Sequence, residues 1–400
     1  MAEDQRESAW PDLPPELLGL ILCRLPSLAD RVRAAGVCRP WRSFLNLPWL
    51  AFGDGTLFDL ANDSAPHPHY RVQGLPGDAF CCSAGDNMFF LLHPDGSCSL
   101  MNALSGATTP LPELAANLRV FKADQPELRT TRQLARKLDQ GDELRDRIRK
   151  VVVLPSSSAS DHPIVAVLVR NHGCELFVST CRPAGEINSL LVAWTNAYDV
   201  VDIAPFQGKI YVLSRSQGLT ALEVSSRHLR TPRPPMPIFV PKSRSGVQVI
   251  QDSPQQDQQD REDFGPDFVV SERYLVESSG KLLMVRQWVE RDDWTTCDFE
   301  VWEADLTEGR WKEFDGGLDG RALFLSKPCS KSLPAGHGVR EDCIYFLNKL
   351  NVWKEPEAPL GDSGVYSITD EDFTPLLSES TPLLPWENWR FPAWFFPLKV

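Results

Sequence analysis

Apolar residues recur along the chain with two different periods, and the change falls near residue 50. Within residues 11–49, Leu17, Leu18, Ile21, Leu22 and Leu25 stand at i, i+1, i+4, i+5 and i+8, one wide stripe on an α-helix. Pro14 and Pro15 suit a first helical turn, Glu16 complements the positive end of its dipole, and Pro26 stops the pattern. The spacing predicts a first helix from Pro15 to Arg24. Ser27 caps a second helix, with Asp30 at its third position, Leu28, Val32 and Ala35 on its apolar side and Gly36 at its end. Val37, Cys38, Trp41, Phe44 and Leu45 make a third short amphipathic helix, closed by Pro48. Three such helices bury little surface by themselves, so the unit needs a neighbour or a partner. Either it caps the domain that follows, or it presents a hydrophobic interface.

After residue 52 the helical period gives way to short β-type runs bounded by Gly, Pro, Asn and Asp. Strand candidates lie in residues 88–103, 150–155, 163–169, 174–180, 209–224, 281–289, 299–306 and 343–348. Several recur as a turn, an apolar strand, a polar turn and a second strand: Gly85–Leu100, Gly208–Val224, Gly280–Leu306 and Arg340–Ile368. Degenerate hairpins of this kind predict a radial array of four-stranded blades, with a large β-sandwich as the rival. The expected fold class is α+β and multidomain: a small three-helix module, then a mainly β domain, a β-propeller of five to seven blades. Residues 50–69 read as a linker and 70–397 as the β-domain. Residues 126–150 are charged, with Leu134 and Leu138 then Leu144 and Ile148 at i, i+4, and read as two inserted surface helices. Residues 251–263 contain no apolar residue and read as a disordered loop.

Composition narrows the chemistry. A net charge of −13 argues against a general nucleic-acid or anionic-membrane binder, and no run of 18 apolar residues or secretory leader is visible. Nuclear or cytoplasmic residence follows, with the ten Cys as free, mostly core thiols. Nucleophile-elbow, phosphate-loop, dinucleotide and metal-binding spacings are missing, so no catalytic residue, metal ligand or cofactor is expected. His67 and His69 sit in a Pro-rich stretch that reads as linker, and Gly53-Asp54-Gly55 reads as a turn. Trp288, Trp294, Trp302 and Trp311 are expected between blades. The C-terminal segment with Trp386, Trp389 and Trp394 is expected to close the array against its first blade, unless it is an exposed patch for a partner.

Leu13-Pro14, Glu16-Leu17, Ile21-Leu22, Leu25-Pro26, Val37-Cys38-Arg39 and Trp41-Arg42 fall at the spacings of the F-box, which this segment resembles. The resemblance implies docking onto the Skp-type adaptor of a cullin-RING ubiquitin ligase, and through it onto cullin. Carried over residue by residue, the adaptor-binding positions are Leu13, Pro14, Leu17, Ile21, Leu25, Pro26, Val37, Cys38 and Trp41. Farther on, Tyr198-Asp199-Val200-Val201 with Gly208-Lys209-Ile210-Tyr211, and residues 273–286, 299–326, 342–348, 364–370 and 389–397, look like a second pattern. They resemble the plant F-box proteins with a C-terminal domain of unknown function 295, the F-box and kelch-like propeller group. That resemblance implies a substrate-recognition subunit of a Skp–cullin–F-box ligase, with an unknown protein substrate and no catalysis of its own. Residues 330–342 depart from the family's usual pattern. An adaptor-binding scaffold and a small-ligand-binding propeller are the alternative readings.

Overall fold

The structure is a computed structural model. It describes Asp30, Ala34, Val37 and residues 49–58, 69–72, 74–112, 114–115, 118, 147–154, 163–170, 174–180, 189–192, 200–222, 246–251, 265–314, 316–336, 339–348, 360, 362–376 and 392–396.

Among these residues, 25 strands form six sheets. Sheet 1 holds β1 (Trp49–Ala51), β2 (Thr56–Phe58) and β3 (His69–Arg71). Sheet 2 holds β4 (Phe80–Ser83), β5 (Met88–Leu92), β6 (Cys98–Asn102) and β7 (Thr108–Pro110). Sheet 3 is β8 (Ile148–Leu154), β9 (Ile164–Arg170), β10 (Cys174–Thr180) and β11 (Ser189–Val192). Sheet 4 is β12 (Val200–Phe206), β13 (Lys209–Ser214), β14 (Leu219–Leu222) and β15 (Gly246–Ile250). Sheet 5 is β16 (Phe268–Ser278), β17 (Lys281–Glu290), β18 (Thr296–Asp305) and β19 (Arg310–Glu313). Sheet 6 contains β20 (Arg321–Leu325), β21 (Lys331–Pro334), β22 (Cys343–Phe346), β23 (Gly364–Ser367) and β24 (Asp372–Pro375). The last strand, β25 (Ala393–Phe395), returns to sheet 1 and pairs antiparallel with β1, giving the order β25-β1-β2-β3.

The sheets close into a ring, because each neighbouring pair shares an apolar core. Leu57 meets Phe89 between sheets 1 and 2, Phe90 meets Val151 between 2 and 3, and Leu168 meets Ile203 between 3 and 4. Leu213 meets Met284 between sheets 4 and 5, Val285 meets Leu323 between 5 and 6, and Phe324 meets Trp394 and Leu50 between 6 and 1. Adjacent residues on one strand, such as Phe89 and Phe90 or Met284 and Val285, face opposite neighbours. Both faces of inner strands such as β5 and β17 are therefore dry, which is why these strands read as continuous apolar runs rather than as alternation. This is a β-propeller, not a sandwich.

Residues 393–395 close the array against sheet 1 as expected, while Trp386 and Trp389 lie outside the described residues. Trp394 is fully buried, donates from Nε1 to the Leu325 carbonyl at 2.9 Å and packs edge-on against Phe324, while Phe395 stacks on Phe89 with ring centroids 4.9 Å apart. Two boundaries need correction. Residues 50–58 and His69 are not linker: β1, β2 and the start of β3 lie there. Their strands are three residues long and their partner lies at the far end of the chain, so no local pattern marks them. The turn at Gly53-Asp54-Gly55 joins them; Gly55 sits at φ +79°, and a Cβ there would strike Leu75. Ile148 and Arg149 belong to β8, so the strand expected from Lys150 starts two residues earlier, inside the segment expected as an inserted helix. Residues 330–342, where the family pattern breaks, supply β21, the innermost strand of sheet 6 in the order β21-β20-β22-β23-β24. Of the three predicted helices, Asp30 and Ala34 are helical, and the Val37 N–H donates to the Ala34 carbonyl at 3.0 Å. The rest of residues 11–48, and the insertions at 126–146 and 252–263, lie outside the described residues.

Candidate binding face of the ring

Innermost strands β4, β8, β12, β16, β21 and β25 line the centre of the ring. The Cys81 N–H, at the start of β4, donates to the Gly53 carbonyl just past the end of β1 at 2.8 Å. β1 thus runs toward the end of the ring where β4 starts, and the chain enters it at Trp49 from the opposite end.

Three consecutive innermost strands each carry a β-bulge near their start. The register shifts between Ile148 and Lys150 on β8, Val200 and Asp202 on β12, and Val270 and Glu272 on β16. The extra residue re-aims the side chain that follows it, and in each strand that side chain is charged. Lys150 Nζ reaches both Asp202 oxygens at 2.8 Å, and Asp202 Oδ2 accepts the Leu275 N–H at 2.6 Å, so one carboxylate links sheets 3, 4 and 5. Both side chains are almost completely buried. Burial pushes the Asp202 pKa up, and Lys150 and the Leu275 N–H oppose that shift. Glu272 pairs with Lys327 in the β20–β21 connection, and Lys331 of β21 pairs with Asp86 in the β4–β5 turn. Beside them the Cys82 and Cys329 thiols are pushed by burial to about 12 and about 11, well out of the reactive range. The centre of the ring is therefore clasped by paired charges, and these thiols are structural.

A second polar assembly lies toward the β17–β18 turn. Tyr274 donates to Gln287 Oε1 at 3.0 Å, Gln287 Nε2 donates to Thr296 Oγ1 at 2.7 Å, and the Thr296 N–H donates to Asp362 Oδ2 at 2.9 Å. Asn348 Nδ2 adds a bond to Asp362 at 2.7 Å, which ties sheet 5 to the loop after β22. Burial raises the Asp362 pKa against these three donors, Thr296 Oγ1 included. Above this assembly the turn projects Trp294, 55% exposed and at φ 62°. The Arg291 N–H donates to the Asp267 carbonyl at 2.8 Å, so the turn stands beside the entry to β16, at the start of an innermost strand.

A model of the KIB1-4 beta-propeller matches residues 57–367. The chain belongs to the KIB1-4 β-propeller family. An F-box-like model matches residues 10–50, immediately before the ring. No curated protein matches the chain. Among solved structures it is similar to Hsv2 of Kluyvelomyces marxianus, at 13% identity and TM-score 0.31 over 65% of this chain and 66% of that one. It is similar also to PorZ of Porphyromonas gingivalis, a surface component of a type-IX secretion system, at 12% identity and TM-score 0.31 over 73% of this chain and 32% of PorZ. A GH74 enzyme of Niastella koreensis is alike at 12% identity and TM-score 0.31, over 71% of this chain and 40% of the enzyme. The chain spans less than two thirds of each of these proteins, and likenesses this distant carry no functional argument.

Of the predicted adaptor contacts on this KIB1-4 propeller protein, Val37 is described, and it is 60% exposed. Leu13, Pro14, Leu17, Ile21, Leu25, Pro26, Cys38 and Trp41 lie outside the described residues. The four Trp expected between blades divide. Trp288 is buried, and Trp302 and Trp311 pack into the core between sheets 4 and 5, but Trp294 stands in water. Arg286 lies between Trp288 and Trp302, 5.6 and 5.1 Å from their rings, and its charge meets Glu300. Sequence reasoning missed Lys150 and Asp202; the signal available was a charge at the head of an apolar run in residues 150–154 and one inside a run in residues 200–204. Among the described residues no three His, Cys, Asp or Glu gather in a way that would hold a metal ion.

Proposed function

We propose that this chain is the substrate-recognition subunit of a Skp–cullin–F-box ubiquitin ligase, acting in the nucleus or cytoplasm. The F-box-like segment would grip a Skp-type adaptor, and through it cullin, using Leu13, Pro14, Leu17, Ile21, Leu25, Pro26, Val37, Cys38 and Trp41. The propeller would hold the target protein. No bond is made or broken by the chain; its contribution is proximity, raising the effective concentration of target lysines at the ligase's charged ubiquitin carrier. The observation that carries this reading is the join. An F-box-like segment at residues 10–50 runs directly into a closed propeller, the order expected of an adaptor-binding module followed by a target-binding domain. Co-purification of the full chain with a Skp-type adaptor tests it. Replacing Leu13, Pro14 and Leu17 with Ala should abolish capture, and capture that survives the change would count against the reading.

A further inference from the structure

The target's docking surface is unassigned, and the Trp294 turn has the chemistry of one. Among the described residues the large apolar side chains left at the surface are Val37, Val247 and Trp294. Trp294 is the largest of them, and it adopts a left-handed backbone conformation that a bulky aromatic residue rarely takes. The turn is nevertheless tied down on all sides. The Glu290 N–H donates to the Thr295 carbonyl, the Trp294 N–H to the Glu290 carbonyl and the Thr295 N–H to Asp293 Oδ1, each within 2.8–2.9 Å. Beneath it, Thr296 is anchored on Asp362 and Gln287. An indole held out in water on a fixed turn loses little freedom on contact, which is the property of a binding anchor.

The charges around the indole select the partner. Asp267, Glu290, Asp292 and Asp293 are exposed at this turn and the adjoining entry to β16, against Arg291 alone, so four carboxylates less one guanidinium leave a formal −3. We propose that the Trp294 turn docks a basic segment of the target, a Lys or Arg side chain lying on the indole while its neighbours face the carboxylates. The turn stands beside the start of β16, as Cys81 at the start of β4 stands beside Gly53 at the end of β1 farthest from the entry at Trp49. This inference rests on the receptor reading above and names its docking point.

The test uses the full-length chain and short synthetic peptides in three matched sets: Lys- and Arg-bearing, the same with Glu in their place, and the same with acetylated Lys and citrulline. Basic peptides should bind, binding should weaken as salt rises, and the other two sets should not bind. Trp294→Gly should weaken binding about tenfold, the loss of one cation–aromatic contact, with the melting temperature unchanged or raised because Gly suits the positive φ. Asp292→Asn, which leaves the indole in place, should weaken it less. Equal binding of the uncharged or acidic sets, no binding of the basic set, or an unchanged affinity in Trp294→Gly would overturn the proposal. So would a wild-type chain that runs as a dimer and a Trp294→Gly chain that runs as a monomer, since the occupant would then be a second copy. Adaptor capture is scored in parallel: its loss in the wild type sinks the receptor reading, whereas retained capture without basic-peptide binding sinks only this one.

Discussion

Sheets 5 and 1 are built in opposite ways. Sheet 5 is one continuous stretch of chain whose first three strands run 11, 10 and 10 residues, each paired with the strand that follows it in sequence. Sheet 1 has three-residue strands, and its innermost one comes from the other end of the molecule. Local pairing costs little loop closure and lets one sheet organise early. Sheet 1 cannot form until nearly the whole chain is in place. Sheet 5 is therefore a local hairpin unit carrying the proposed docking turn, and sheet 1 is the clasp that makes the ring a single cooperative object.

The largest expected effect breaks the clasp. Deleting residues 393–400 removes β25 and with it the cores between sheets 6 and 1 and between 1 and 2. Thermal unfolding should lose its single sharp transition. Trp394→Ala is the milder form and should cost about 3–5 kcal/mol in chemical denaturation, the range for truncating a fully buried Trp. An equal cost for Trp294→Ala would contradict the contrast between a buried closing Trp and an exposed one.

Next comes the charge that joins sheets 3, 4 and 5. Lys150→Met leaves Asp202 buried without its cation and should cost about 3–5 kcal/mol, read from the denaturant midpoint. Restoring neutrality with Asp202→Asn in the same chain should recover part of the loss, because Asn can still accept the Leu275 N–H. If the double change is no better than the single one, the pair is not acting as a unit.

A smaller, pH-dependent effect concerns sheet 5's tie to sheet 6. Burial raises the Asp362 pKa above its ordinary value of 3.8. In the window between that value and the folded one, the folded protein holds a proton that the unfolded chain has lost. The stability this supplies is complete below 3.8 and disappears as pH rises through the folded pKa. Asp362→Asn is neutral throughout, so its denaturation midpoint should gain on the wild type as pH rises from acid toward neutral. A gain in the other direction would mean that the Thr296 and Asn348 donors hold the carboxylate ionised. Smallest of all, Trp294→Gly should change stability by no more than about 1 kcal/mol, and toward stabilisation.

The same contrast explains what was legible in the sequence. Residues 88–103, 209–224 and 281–306 are local hairpins, and their turns and apolar runs place β5–β6, β13–β14 and β17–β18 closely. The closing role of the segment around Trp394 was one of the two readings its crowding of Trp and Phe allowed, an exposed patch being the other. β1 and β2 were not readable, since three residues carry no period. Nor was the placement of β21 inside β20, where the chain doubles back and β20 pairs parallel with β22. The adaptor-binding positions come from the resemblance of residues 11–49 to the F-box, and all but Val37 lie outside the described residues. Trp294 looked like its three core neighbours, because a turn that turns an indole outward differs from a strand by only a few residues of Asp and Thr.

The receptor reading stands or falls on adaptor capture. The full chain, purified with a Skp-type adaptor, should form a stoichiometric complex, and the chain carrying Leu13→Ala, Pro14→Ala and Leu17→Ala should not, while both keep the same cooperative unfolding of the ring. Capture that persists in the triple variant, or that is absent from the wild type, would contradict it.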